Sequence, residues 1–318
     1  MTNTKFNSNV MITNCVFIKN SSGLFGGGLY NANTSTTLTN CTFTGNCALH
    51  GGGGMFNYGN SVLTNCGFIG NLSSENNGGG LYSDLNPTLN NCIFIGNSAD
   101  NYGGGIYNDG GNPTLINCIF SENSAGGGGG MHSMEDDPLL MNCTFIDNEA
   151  FHSGGFSSGG IVGGESKPTI TNCIFWRNSP LQIVNSSGVA AVVSYSCVQS
   201  GWSGLGNNNI DSDPCFADLN NGDFHLKSQA GRWDPNTKRW VYDEVTSLCI
   251  DAGDPNSSVG LEPNPNGGRI NMGAYGGTSE ASKSYCANPI DSDINGDCVV
   301  DFKDFAIMAS HWLEDNRP

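Results

Sequence analysis

The chain has 318 residues, 37% of them hydrophobic and only 13% charged, with 46 glycines; that is too few charges for a disordered chain and too little apolar content for a globule of thick helices. A formal net charge of −17, with no Lys or Arg between Lys19 and Lys167, argues against a nucleic-acid partner, which needs clustered cations. No apolar run is long enough for a membrane span.

The polar start, Met1 to Lys5, has no signal-peptide core. The first coil begins near Val10, and we read a leader as removed or a capping segment as missing. From there the chain repeats. Asn-Cys-x-Phe-x-x-Asn recurs at Asn14–Asn20, Asn40–Asn46, Asn65–Asn71, Asn91–Asn97, Asn117–Asn123, Asn142–Asn148 and Asn172–Asn178, with a degenerate copy around Cys197. The repeat cysteines, from Cys15 to Cys197, are spaced 26, 25, 26, 26, 25, 30 and 24 residues apart. Between the copies lies Gly-Gly-Gly followed by Leu, Ile or Met and often Tyr, at Gly26–Tyr30, Gly52–Met55, Gly78–Tyr82, Gly103–Tyr107 and Gly128–Met131. Pro87, Pro113, Pro138 and Pro168 precede the first strand in four repeats.

A unit this short cannot bury its own apolar face, so neighbours must stack as a solenoid. Equivalent strands then pair in parallel at about 4.8 Å. Period-two alternation puts Cys and Phe inside and the residue between them outside. The asparagines are expected to form ladders at corners, bonding to backbone or to the next Asn. The stacked cysteines read as small buried hydrophobes rather than bridges, because parallel Cβ vectors disfavour disulfide geometry. The fold predicted is all-β: a right-handed parallel β-helix of about eight coils over residues 1–205.

The paired Gly-Gly-[Ile/Leu]-Tyr and Phe-x-x-Asn motifs resemble the polymorphic outer membrane protein repeat of bacterial β-helical adhesins and autotransporter passengers. That resemblance covers roughly residues 10–180 and implies a secreted or cell-surface protein.

Residues 206–280 differ in texture, with Asp213-Pro214-Cys215-Phe216, His225-Leu226-Lys227 and Cys249-Ile250-Asp251-Ala252-Gly253-Asp254. They resemble the C-terminal ends of many secreted bacterial β-helix proteins, which implies irregular coils and a cap. Arg232, Trp233, Trp240 and Tyr242 are assigned to a loop of this cap.

Residues 281–318 form a calcium-loop tail. Asp293, Asn295, Asp297, Asp301 and Asp304 place oxygen side chains at loop positions 1, 3, 5, 9 and 12, as an EF-hand-type loop does, with the carbonyl of Val299 at position 7. Phe302, Phe305, Ala309 and Trp312 follow at helical spacing. The tail resembles a type I dockerin repeat and implies bound calcium. Cys298 stands where that family has glycine, and one copy replaces the usual two, which puts a cohesin-type partner in doubt.

Five cysteines lie off the repeat. Two bridges, Cys215–Cys249 and Cys286–Cys298, fit an oxidising compartment, and Cys47 is left over.

For chemistry, the best acidic set is Asp84, Asp109 and Asp136, the last flanked by Glu135 and Asp137, in the loop after the Gly-Gly-Gly strand of three successive coils. Converging carboxylates could hydrolyse a glycosidic bond, hold a cation or form a solvated face. A lyase needs a Lys or Arg base, which the middle coils lack. His50, His132 and His152 read as surface residues. Short, even turns favour a non-catalytic, adhesin-like protein binding a glycan or another surface. The alternatives are an extracellular polysaccharide lyase or glycoside hydrolase working in a groove, and a structural subunit stacking end to end.

Overall fold

The computed structural model describes residues 2–3, 9–32, 35–134, 137–150, 161–163, 167–185, 191–284, 292, 294, 300 and 302–311. The chain divides into two compact units, Met1–Asp211 and Ser212–Pro318.

The first unit is a parallel β-helix. Three walls each hold eight strands, and a fourth, shorter wall holds six. Every neighbour within these walls is parallel and one repeat away, as in Phe43 to Phe68 and Phe68 to Phe94. Six turns therefore have all four walls, fewer than the eight coils expected, because the two last coils lack the two-residue strand of the fourth wall. Leu205 bridges Val192 and Ile210 bridges Cys197, both in parallel. The ladder thus runs past the change of texture at 205.

Each repeat residue has a physical role. Cys41 and Phe43 are fully buried while Thr42 between them is half-buried, the alternation a pleated strand imposes. The phenyl rings of Phe17, Phe43, Phe68, Phe94, Phe120, Phe145 and Phe175 form one column, with centroids 4.4–4.9 Å apart and ring planes within 7°. The first Asn of the motif turns the chain at positive φ, 51–57° from Asn14 to Asn172, where Asn is better tolerated than bulkier residues. The second Asn builds a buried ladder. Asn71 Nδ2 donates to Asn97 Oδ1 at 2.9 Å and to the Phe43 carbonyl at 3.0 Å, and its own Oδ1 accepts from Asn46 at 3.0 Å. Both ends of each amide are thereby used in a dry interior, where an unmade bond costs about 1–3 kcal/mol.

The glycine triplet combines two requirements. Gly52 sits at φ +63°, and a Cβ on Gly53 would lie 2.3 Å from the Leu72 carbonyl oxygen of the next coil. Turn and close approach together leave no room for a side chain.

The repeat cysteines point inward as thiols, none joined to another. Cys92 Sγ donates to the Asn90 and Leu63 carbonyls at 3.4 and 3.6 Å. Burial pushes the Cys92, Cys118 and Cys143 thiols well up, so they are held unreactive.

The second unit is irregular. Phe216–Asp218 pairs antiparallel with Asp223–Leu226, and Arg232–Asp234 with Arg239–Val241 in a hairpin where Trp233 and Trp240 meet edge to face at 5.7 Å. Phe216, Phe224, Leu226, Cys249, Ile250, Ile270 and Met272 are buried. Cys215 and Cys249 are thiols, not the expected bridge. A single α-helix, Phe302–His311, closes the described residues. Phe302, Phe305 and Met308 are exposed on it while Asp304 is buried, so the apolar stripe read from the sequence is not its covered face.

Candidate ligand-binding wall

The first wall contains the strands Leu29–Ala32, Met55–Tyr58, Leu81–Ser83, Ile106–Asp109 and Met131–Met134. Leu29, Met55, Leu81, Ile106 and Met131 fill the core. Alternation turns the next residue to the other face. Parallel register stacks Tyr30, Phe56, Tyr82, Tyr107 and His132 into a second, outer column, with ring centroids 5.3, 4.6, 5.0 and 5.4 Å apart. Phe25 leans on this column, 4.7 Å from Phe56, and Tyr102 packs 4.6 Å from His132.

Mutual stacking consumes most ring faces, so Phe56, Tyr107 and His132 are buried. The rings left open lie at the edges. Phe25, with 37% of its surface exposed, and Tyr30 border a concavity of about 510 Å³ with Ser21, Ser22 and Leu24. A second concavity of about 380 Å³ lies along Leu72, Ser74, Ser98 and Asp100.

Two of the three acidic candidates come together beside the column. Tyr82 Oη donates to Asp109 Oδ2 at 2.6 Å. Burial, and then the charge of Asp109, raise the Asp84 carboxyl above its ordinary value. Burial likewise raises the Tyr82 phenol, helped by its bond to Asp109, so it stays a donor. Asp136 and Glu135 lie outside the described residues. Asp137 belongs to a different structure: its N–H donates to Asn112 Oδ1 at 2.8 Å and its Oδ1 accepts from the Lys167 N–H at 2.9 Å. It thus continues an asparagine ladder of the next turn.

His132 corrects the surface reading of the histidines. It is 4% exposed, its Nδ1 has no hydrogen-bond partner among the described residues, and burial lowers its pKa to about 4. It is therefore a neutral ring serving as an aromatic. His50 is half-buried, with Nδ1 3.8 Å from Glu75 Oε2; His152 lies outside the described residues. The tyrosine after Gly-Gly-Gly-Leu was visible in the sequence as a repeat marker. That it repeats on one face of one strand was the signal for a column.

The second unit holds most of the ionic structure. His225, 1% exposed, has Nδ1 2.6 Å from Asp223 Oδ1, and Tyr275 stacks on its ring at 3.6 Å. Arg232 bridges Asp223 and Asp243 at 3.1 and 3.2 Å. Glu262 Oε1 accepts the N–H groups of Asn271 and Gly277, both at 2.8 Å, and Oε2 has no hydrogen-bond partner among the described residues. Burial raises Glu262 to about 7 and Asp251 to about 6. Ser284 donates to Asp251 Oδ1 at 2.7 Å.

Of the calcium ligands read from the sequence, only Asp304 is described. It is buried, and its Oδ1 accepts the Ile294 N–H at 2.7 Å. Asp293, Asn295, Asp297, Val299 and Asp301 lie outside the described residues, as do Cys286 and Cys298. Among the described residues no group of three or more His, Cys, Asp or Glu is placed to hold a metal, and no helix is long and apolar enough to cross a membrane.

Comparison with known proteins adds two partial matches. A model of the Chlamydia polymorphic membrane protein repeat matches residues 91–109, which hold one copy of each half-motif, and a model described as disaggregatase related matches residues 185–253. No curated protein and no solved structure matches the chain.

Proposed function

We propose that this chain is a non-catalytic β-helix protein of the cell surface or extracellular space that binds a glycan along its first wall. The observation that carries this reading is the concavity of about 510 Å³ that Phe25 and Tyr30 border together with Ser21 and Ser22. The polymorphic membrane protein repeat match is in keeping with a surface protein. Sugar rings stack on such aromatics through their C–H faces, and small-ligand sites need only a few oriented polar groups beside them.

A glycan array probed with the full chain and with a Phe25→Ala/Tyr30→Ala variant tests it. Binding of one glycan class that falls at least about tenfold in the variant supports the wall as the site. Binding unchanged by the variant removes it. A second reading, glycoside hydrolysis, draws on the pairing of Asp84 with Asp109, where one carboxyl is raised beside another. Release of reducing ends that disappears in Asp109→Ala would favour hydrolysis, and product with an unsaturated uronate would mark a lyase. Calcium at the tail loop is part of the proposal. It predicts that calcium raises the melting temperature of the helix that carries Asp304 and that a chelator reverses the shift.

A further inference from the structure

We propose that the two concavities are two seats for one ligand, an extended linear oligosaccharide of about four or more sugars, joined through equatorial bonds and lying parallel to the axis of the β-helix. This rests on the glycan-binding reading above and names its ligand class. The position of the second concavity and the step from coil to coil carry it.

Both concavities are built from the same positions of the repeat. The first takes Ser21 and Ser22 from the fourth wall, and Leu24 and Phe25 from the turn that follows. The second takes Leu72 and Ser98 from the fourth wall, and Ser74, Asp100 and Gly126 from the turns that follow its strands. Ser21, Cys47, Leu72 and Ser98 are partners in one unbroken parallel rank. The two seats therefore lie on one line along the axis, two to three strand spacings or roughly 10–14 Å apart. Phe25 and Tyr30 furnish the aromatic end of that line, and the exposed Asp100 furnishes a polar end. In the rank itself only Cys47, half-buried, stands between Ser21 and Leu72.

The step along this line selects the ligand. A pyranose chain with equatorial linkages stays straight and advances about 5 Å per sugar, nearly the spacing of about 4.8 Å between coils. Successive sugars therefore meet the same repeat position in successive coils. An extended peptide advances only about 3.4 Å per residue and falls out of phase after one coil. A glycan with axial linkages curves away from a straight wall. Each concavity alone, about 510 and 380 Å³, has room for a small ligand. A chain that reaches both makes its second set of contacts within one complex, at high effective concentration, so affinity should rise steeply once the chain is long enough to span them.

The test titrates the full-length chain with cello- and N-acetylchito-oligosaccharides of two to six sugars, and with maltohexaose, which has the glucose units of cellohexaose in a curved chain. At least one extended series should bind about tenfold more tightly at five sugars than at two and level off beyond, and maltohexaose should bind about tenfold more weakly than the better extended hexamer. The bound hexamer should slow alkylation of Cys47 by iodoacetamide, followed by peptide mass, and the disaccharide should not. Ser98→Leu puts into the second seat the side chain that its partner Leu72 already carries in the same rank, and it should bring the pentamer down to the disaccharide's affinity. If that variant does not fold, Asp100→Ala, at an exposed position, should remove part of the gain. Affinity independent of length, no binding of either extended series, maltohexaose bound as tightly as the extended hexamers, or Cys47 alkylated at the same rate with hexamer bound overturns the extended-chain inference. The glycan reading then stands if the array still shows binding that Phe25→Ala/Tyr30→Ala removes. Failure of every glycan on the array overturns the glycan reading itself.

Discussion

The two units bury polar groups by opposite means. In the β-helix, a buried amide such as Asn97 finds its partners one repeat below and one repeat above, Asn71 and Asn123, and every turn solves the problem the same way. In the Ser212–Pro318 unit each buried polar group has its own solution: Glu262 clamps Asn271 and Gly277, and Arg232 bridges Asp223 and Asp243. The contrast teaches that neutral ladders tolerate changes of pH but not of shape. Unique ionic clamps are sensitive to pH and are disturbed one at a time.

The sharpest way to break the comparison is to change shape inside the ladder. A Cβ at position 104 would lie 2.4 Å from the Ser124 carbonyl oxygen and 2.6 Å from that of Gly129. Both are backbone atoms that cannot step aside, so Gly104→Ala should abolish recovery of folded, soluble protein on expression.

A smaller effect is expected from a hole in the phenyl column. Phe94 is fully buried between Phe68 and Phe120, at 4.7 and 4.9 Å. Phe94→Ala should cost about 3–5 kcal/mol in urea unfolding. A loss below about 1 kcal/mol would mean that the coils close over the gap and that the column is not the core's main support.

The clamp in the second unit should show its character as a pH dependence. Burial raises Glu262 from 4.5 to about 7, and Asp251 from 3.8 to about 6. A raised carboxyl makes the folded state the better proton binder, so its stabilising contribution is complete below the unfolded pKa. It is lost as pH rises through the folded value. Protection of the Asn271 and Gly277 amides from hydrogen exchange, corrected for intrinsic rates, should therefore fall between about pH 4 and pH 7, by up to roughly 3 kcal/mol. Glu262→Gln should flatten most of that slope. Amides of the asparagine-ladder coils should not follow it.

The smallest expected effect belongs to an ion pair on the β-helix. Arg177 Nε lies 2.8 Å from Asp147 Oδ1, but its side chain is half exposed. Arg177→Ala should cost less than about 1 kcal/mol and less still in high salt; a larger loss in thermal unfolding would mean that charge matters to the ladder as well.

Much of the β-helix was legible from residue spacing. Cys41 and Phe43 inside, Thr42 between them, and the amide ladder from Asn20 to Asn178 all follow from one period. The first-wall column shows where such reading stops. Tyr82 and Tyr107 were recognised as repeat markers, yet their stacking on Phe56 and His132 was missed, because Phe and His at those positions do not look like tyrosine. Asp109 was singled out as an acid, but its bond to Tyr82 joins two coils and depends on which way each side chain turns. The bridge expected between Cys215 and Cys249 failed for a related reason: the spacing of two cysteines says nothing about the direction of their Cβ bonds.

The sequence by itself determined the repeat length, the parallel pairing and the inward set of thiols, rings and amides. In a solenoid the neighbour of each residue is its own counterpart one period away, so the pattern of letters is already a contact list. Only the tertiary structure decided where the ladder ends, how many turns close all four walls, that His132 is buried and neutral, and which carboxylates in the second unit are locked in dry surroundings. Those outcomes depend on contacts without a period, between residues far apart in the chain, and packing rather than local preference selects them.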